Sequence, residues 1–188
     1  PHQPGEQEHH RRAQDVDGAP ADAAPSALLP GVADTHVHFP ADYKASFRQY
    51  MTMDFPDAKQ VRHFYANPVA IQAAKESLSL PDGAMILVEV YDAKLDDKGG
   101  PVRGSDGYFA PGSLRGYAAM ERQAGWGDAL PDMLRNENWN YAPFTAERVV
   151  RSGFNQATCF ACHKPRPEES HLFTLKELRT YAQDQSRP

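Results

Sequence analysis

Glycine and proline recur so often between residues 80 and 145 that this part of the chain leaves no room for a long helix. The stretches "LPDG", "DDKGGPVRGSDG" and "AGWG" are rich in turn-forming residues. A proline inside a helix also removes a backbone hydrogen bond. The pattern therefore excludes a bundle of four long helices. It favours an α+β fold, mainly an antiparallel β-sheet with flanking helices.

The stretches between these turns predict an order of elements. Val61 to Ala66 is a short strand candidate, and Asn67 followed by Pro68 predicts the N-cap and first residue of a helix. Three further strands and a closing helix are predicted in "AMILVEVYDAKL", "GSLRGYAAMERQ", "WNYAPFT" and "TLKELRTYAQ". Another helix is predicted from apolar residues with helical spacing, namely Tyr43, Phe47, Tyr50 and Met51.

The first 33 residues differ in composition from the rest of the chain. They are rich in proline, alanine, glycine and charge, with almost no large apolar residue before Leu28. Such a segment buries too little to offset its chain entropy. We therefore predict a flexible or extended arm over residues 1–33 and a single domain over residues 34–188, with order beginning near Ala41.

Two groups of polar residues near the N-terminus raise the question of a metal site. Histidines in a polar tail are usually solvated, and we favour that interpretation for the first group. The second group alternates, so on a strand its side chains would point the same way and could bind a metal. We favour a surface strand end. The residues are His2, His9 and His10, and then Asp34, His36 and His38.

Charge and hydropathy exclude several classes of partner. The net charge is −5 at pH 7 and basic residues form no dense patch, which excludes nucleic acid. No apolar run approaches the ~20 residues needed to span a membrane. The chain begins "PHQPGEQEHHRR", without an initiator Met or an apolar leader, so we interpret it as the mature form of an exported protein.

One motif uses both cysteines of the chain, in "QATCFACHKPRP". Cys159, Cys162 and His163 form a Cys-x-x-Cys-His run, which suits three uses: a redox disulfide, half of a zinc site, or covalent attachment of a haem. Zinc is disfavoured because a structural site needs four ligands and His171 could add only one. A redox motif usually lies early in a fold, whereas the second cysteine here lies 26 residues (188 minus 162) from the C-terminus.

We therefore favour a haem c, with Cys159 and Cys162 as thioethers and His163 as the axial iron ligand. Haem is attached to such cysteines outside the cytoplasm. The motif thus predicts a periplasmic protein.

Several stretches together resemble a known family. They are "VRHFYANPVAI", "LPDGAMILVEVY", "NWNYAPF" and "CFACHK" followed by "HLFT", spanning about Arg62 to Thr174. Their order and spacing are similar to those of the cytochrome P-460 and cytochrome c-prime-beta family of periplasmic mono-haem proteins. The resemblance implies a mainly antiparallel β fold, a homodimer, His163 as proximal ligand, and an open iron face on the other side.

The family that the chain resembles has members with two different functions. Cytochromes P-460 oxidise hydroxylamine and carry a lysine cross-linked to the haem, whereas cytochromes c-prime-beta lack the link and bind NO or CO. Here Val88 takes the place of that lysine, and a one-residue slip would put Leu87 or Glu89 there. The nearest lysines, Lys75 and Lys94, are interpreted as solvated.

The residues on the open side of the iron would decide the chemistry. Val88 is the best candidate, and Arg62 could hydrogen-bond a bound ligand or a haem propionate unless it forms a surface salt bridge. Glu89 should point away from Val88, and would become a candidate base only if the register slipped. The apolar candidates, for which ordinary core packing is the alternative, are Phe64, Met85, Val88, Tyr117, Met120 and Phe154.

Three functions remain open. We favour binding of NO, CO or a small nitrogen oxide, since an apolar lining disfavours charged ligands. Oxidation of hydroxylamine would need a nearby proton acceptor. Electron transfer, with a partner cytochrome, would need a sixth ligand such as a methionine. The chain has Met51, Met53, Met85, Met120 and Met133, all interpreted as core residues.

Overall fold

The computed structural model describes residues 30–185 of the chain. Within this range lies one five-stranded antiparallel sheet in which every strand pairs with its neighbours in chain order. This α+β architecture confirms the predicted fold class. The strands are β1 (Arg48–Phe55), β2 (Gln60–Ala66), β3 (Met85–Ala93), β4 (Pro111–Arg122) and β5 (Trp139–Thr145).

Short helices flank this sheet. Among the described residues, no helix is both long enough and apolar enough to cross a bilayer. Two 3-10 helices lie at Asp132–Leu134 and Pro167–Glu169. The α-helices are α1 (Pro30–Ala33), α2 (Tyr43–Ser46), α3 (Pro68–Lys75), α4 (Ala157–His163) and α5 (Leu175–Asp184).

The predicted start of α3 is confirmed in detail. The Asn67 side chain accepts a hydrogen bond from the Ala70 amide at 3.0 Å, as an N-cap does, and Pro68 is the first helical residue. The same Asn67 oxygen accepts from the Met85 amide at 3.0 Å. This residue therefore caps α3 and joins it to the start of β3.

The predicted helix over Tyr43 to Met51 is wrong. α2 ends at Ser46, Phe47 has extended backbone, and β1 begins at Arg48. A bulge between Gln49 and Met51 shifts the pairing of β1 with β2. A short helix followed by a bulged strand can carry apolar residues at the same sequence spacing as one continuous helix. Pairing with β2 makes Arg48–Phe55 a strand, and the local sequence does not reveal that pairing.

Alternation along the strands gives the sheet two apolar faces. One face, called here the cavity face, carries Phe64, Ile86, Val88, Met120 and Tyr141 and packs against α3, α4 and α5. The pairing is direct across four strands, since Phe64 lies opposite Val88, Val88 opposite Ala118, and Ala118 opposite Pro143. The back face carries Tyr65, Leu87, Tyr117 and Phe144, and packs against residues 37–47.

Packing at the N-terminal side begins earlier than Ala41. Residues 1–29 of the predicted arm lie outside the described residues, but residues 30–33 form α1. Val32 and Val37 are each only 2% exposed. Val32 belongs to the core of the cavity face and Val37 to that of the back face, so this segment passes from one core to the other.

A buried carboxylate anchors α2 to the back face. Glu89 on β3 is 1% exposed and accepts hydrogen bonds from four side chains. Tyr43 donates a short hydrogen bond. The other donors are Tyr65 at 3.0 Å, Lys44 at 2.9 Å and His63 at 3.2 Å. Burial raises the pKa of Glu89, but the bonds from His63, Tyr43 and Lys44 and the charge of Lys44 outweigh it and lower that pKa to about 2.

Replacing this carboxylate should weaken the fold most near neutral pH. The pKa of Glu89 is lowered in the folded protein from its ordinary 4.5 to about 2. Its stabilisation is therefore complete above about pH 4.5 and is lost as pH falls towards 2. We expect Glu89→Gln to reduce the free energy of unfolding by roughly 3 kcal/mol at pH 7, and by much less near pH 3.

Urea unfolding of parent and variant at both pH values measures this difference. Glu121→Gln on β4 is the matched control, because Glu121 is only partly buried and bonds one glutamine. An equal loss for Glu89→Gln at both pH values would contradict the proposed source of the stabilisation.

Candidate haem site

Helix α4 carries the whole Cys-x-x-Cys-His motif in seven residues. Phe160, on the same helix, is fully buried and fixes the helix against the cavity-face core. Cys159 is partly buried beside that core, and Cys162 is exposed. His163 is the last helical residue. The three motif side chains therefore project from one short helix, which Phe160 anchors to the sheet.

A backbone carbonyl orients the His163 ring. Its Nδ1 donates to the His171 carbonyl at 2.6 Å. The ring also contacts Tyr141 and Phe173, at centroid distances of 4.8 and 4.6 Å. Burial lowers the pKa of His163, although the bond to His171 opposes this shift. A neutral ring with Nδ1 engaged leaves Nε2 as the free ligand atom, which is how histidine ligands are usually prepared for a metal.

The backbone after the motif brings that carbonyl into place. Ser170 and His171 both have left-handed backbone, with φ of 54° and 56°. This conformation costs a residue with a side chain about 1–2 kcal/mol. The bonds made there offset that cost, since the Leu80 amide donates to Ser170 Oγ at 2.9 Å. His171 Nδ1 in turn donates to the His163 carbonyl at 3.1 Å. The two histidines thus hold each other.

Gln156 connects α4 with the sheet and the N-terminal segment. It is fully buried directly before the helix. Its side-chain oxygen accepts from the Tyr141 amide at 2.8 Å, and its Nε2 donates to the carbonyls of Gly31 and Asp34. Its amide also donates to the Val32 carbonyl at 2.9 Å. The position of the motif therefore depends on one side chain that joins three parts of the chain.

A cavity of about 180 Å³ separates α4 from the sheet. It opens to solvent, and its wall is apolar. Among the residues proposed from the sequence, Val88, Met120 and Phe154 line it together with Cys159 and His163. The rest of the wall is Ile86, Ala118, Ala119, Tyr141, Ala142 and Pro143.

Two other candidates share this face without lining the cavity. Phe64 lies opposite Val88 on the neighbouring strand. Arg62 is two residues from Phe64 on β2, so it projects from the same face. The predicted alternative for Arg62, a surface salt bridge, is not found among the described residues.

Met85 and Tyr117 do not belong to the site. Both side chains lie in the back-face core, away from His163. The physical reason is the two-residue period of a strand, because Met85 is an odd number of positions from Val88, and Tyr117 from Met120. Glu89 also lies on the back face, as the unslipped register predicted. Its carboxylate is engaged by four side-chain donors and does not face the cavity.

The alternatives to haem find little support in this geometry. Among residues 30–185, no group of three histidine, cysteine or acidic side chains could hold a metal ion. His36 stacks on Trp126 at 5.3 Å. The histidines of the arm lie outside the described residues. Burial and the neighbouring Cys162 raise the pKa of the Cys159 thiol to about 11. A redox-active cysteine of this motif needs a lowered pKa.

The residues present fit a haem. The helix offers two unpaired thiols, an imidazole with a free Nε2 and, facing them, an apolar sheet. The sequence model of the family described as Cytochrome P460 matches residues 40–174, well over half of the chain. The matched region includes all five strands and α4. No curated protein sequence matches the chain.

These findings define a haem-binding cytochrome, with an iron cofactor. The chain belongs to the Cytochrome P460 family.

Several residues of the site have no clear signal in the sequence. Gln156 is an ordinary polar residue before a helix, and His171 contributes through its backbone carbonyl, which any residue could supply. Ala118 and Pro143 face the cavity because of strand register, which one sequence does not reveal. Tyr141 could have been predicted as a site residue, because it lies two residues after Trp139 in a predicted strand and so on the same face.

Loss of the Gln156 side chain should destabilise the protein strongly. Gln156→Ala removes bonds to Gly31, Asp34, Asn140 and Tyr141 and leaves buried groups without partners. We expect the free energy of unfolding to fall by about 2–4 kcal/mol. Gln72→Ala on the exposed side of α3 is the control and should change it by less than about 0.5 kcal/mol. Equal denaturant midpoints for the two variants would refute the role of Gln156.

Proposed function

We propose that this chain is an exported mono-haem c-type cytochrome that binds NO, CO or a small nitrogen oxide. Cys159 and Cys162 are the thioether residues, and His163 Nε2 is the proximal ligand. The observation that carries the proposal is the hydrogen bond from His163 Nδ1 to the His171 carbonyl, on a helix that faces an apolar cavity. A bound haem supplies an iron that binds small ligands and exchanges one electron.

The cavity wall supports neutral ligands. The described residues that form it include neither a lysine nor a carboxylate. An apolar wall stabilises neutral diatomic molecules relative to charged or strongly hydrated ones, because it offers no replacement for lost water contacts. Val88, half-buried in this wall, stands at the position where the family's cross-linking lysine is expected.

Hydroxylamine oxidation is the second candidate, and membership of the family favours it. Turnover would require a group that takes protons from the bound substrate. Glu89 is the carboxylate that follows Val88 in the sequence. Its oxygens, however, face away from the cavity and accept hydrogen bonds from four side chains. The residues of the wall thus support ligand binding better than proton removal.

Electron transfer would need a protein side chain as sixth ligand of the iron, and Met120 is the methionine at the cavity. Met120 lines the cavity beside His163, whereas Met85 lies in the back-face core and Met133 is 74% exposed. Met51 and Met53, on β1, are partly buried against the cavity-face core. Met120 is held in that core, and we propose that it packs against the haem and leaves the iron open.

Location and assembly complete the proposal. Thioether attachment of haem takes place outside the cytoplasm, which supports a periplasmic protein. The family resemblance supports a homodimer. A partner cytochrome would exchange electrons with the haem if the protein takes part in electron transfer.

Visible spectra of the haem-loaded protein test the proposal directly. We expect an ordinary high-spin c-type spectrum in both oxidation states, and a shift when NO is added to the ferrous form. We also expect Val88→Lys to change the ferric spectrum by bringing an amine into an apolar site, whereas Val88→Leu should not. A strongly red-shifted ferrous Soret band in the parent would instead indicate a further covalent link to the haem and favour hydroxylamine oxidation.

Replacing the proximal ligand should separate attachment from coordination. His163→Ala keeps both cysteines, so we expect haem to stay bound through denaturing electrophoresis while the ferric spectrum changes. His38→Ala, an exposed histidine far along the sequence, is the control. An unchanged ferric spectrum in His163→Ala would refute the ligand assignment. Loss of the haem stain in Cys159→Ser with Cys162→Ser would be expected if attachment is covalent.

A further inference from the structure

Arg62 is a cation on the cavity face without an acidic partner. It lies opposite Val90 of β3, next to the Phe64–Val88 pair. The residue is half-buried. None of the salt bridges among residues 30–185 includes it.

The contacts that Arg62 makes do not use all of its N–H donors. One Arg62 Nη donates to the Gln60 side-chain oxygen at 2.9 Å. The guanidinium carbon lies 3.9 Å from the centre of the Phe55 ring. The buried Nε has no hydrogen-bond partner among the described residues. A stacked ring offsets part of the cost of burial but accepts no conventional hydrogen bond.

Arg122, another partly buried arginine, provides a comparison within the same fold. Arg122, with a side chain only 19% exposed, bonds the carboxylates of both Asp82 and Glu137. Arg62 has neither, and burial lowers the pKa of its guanidinium. The side chain remains charged at any ordinary pH. A half-buried arginine with free donors in a fixed fork is the usual partner of a carboxylate or another oxyanion.

We propose that Arg62 holds an oxyanion beside the haem cavity. The oxyanion is either a carboxylate of the bound haem or a free one such as nitrite, and both offer the two oxygens that a guanidinium binds. This inference rests on the proposed haem site and adds to it an anion-binding residue. It gives an otherwise apolar site one charged contact.

The experiment compares the haem-loaded parent with Arg62→Gln and Arg62→Lys. Arg115→Gln is the control, because it also removes one positive charge but from an exposed arginine that is paired with Asp92. Two quantities are measured for each protein: the midpoint potential of the haem, and the dissociation constant of nitrite from the ferric form by spectral titration. Thermal unfolding verifies that each variant is folded, and Arg62→Lys, which keeps the charge and the stem, serves if Arg62→Gln does not fold.

The two sources of the oxyanion give different results. If Arg62 holds a haem carboxylate, Arg62→Gln should lower the midpoint potential, because loss of a cation favours the ferric state, and should leave nitrite affinity near that of the control. If it holds a free oxyanion, Arg62→Gln should weaken nitrite binding about tenfold. In either case Arg62→Lys should lie between parent and Arg62→Gln, since lysine keeps charge but not the fork.

Variants that match the control in both quantities would overturn the inference. If the parent holds haem and binds NO while the Arg62 variants match the control, only the role of Arg62 fails. If the parent holds no haem, the proposed function and this inference fail together.

Discussion

The alternation of side chains along β3 separates the chemistry of this protein into two compartments. Val88 faces the cavity and His163, whereas Glu89, the next residue, is buried on the other side among four donors. A slip of one residue would exchange them and place a carboxylate against the cavity. The Glu89 network makes such a slip costly, because it would leave the phenols, His63 and Lys44 without their acceptor. The hydrogen bonds of Glu89 on the back face thus keep Val88, rather than a carboxylate, on the cavity face.

The helix that carries His163, the proposed proximal ligand, depends on a second set of fixed contacts. Gln156 positions the start of α4, and the paired bonds between His163 and His171 fix its end. A short helix of seven residues has little stability of its own, so these tertiary bonds determine where its side chains point. The resulting histidine has one engaged and one free nitrogen. The orientation of His163, the proposed ligand, is therefore set by contacts within the protein itself.

Local signals predicted some elements well and others not. Asn67 and Pro68 define the start of α3 through backbone chemistry that acts over four residues, and the glycine and proline pattern correctly excluded long helices. The segment from Tyr43 to Met51 shows the limit of such signals. Its apolar spacing suits a helix equally well, and only the partner strand β2 decides that Arg48–Phe55 is extended. Met85 and Tyr117 were misplaced for a related reason, since apolar character does not reveal which face of a strand it occupies.

The sequence by itself determined the motif, the class of fold and the family to which the chain belongs. Each of these depends on residue type and short spacing, which are visible without a structure. Only the tertiary structure decided which side chains share the cavity with His163, which carbonyl orients its ring, and that Arg62 has no acidic partner among the described residues. These facts arise from strand register and from contacts between residues far apart in the chain. Such contacts are set by the packing of the whole domain, and no local pattern encodes them.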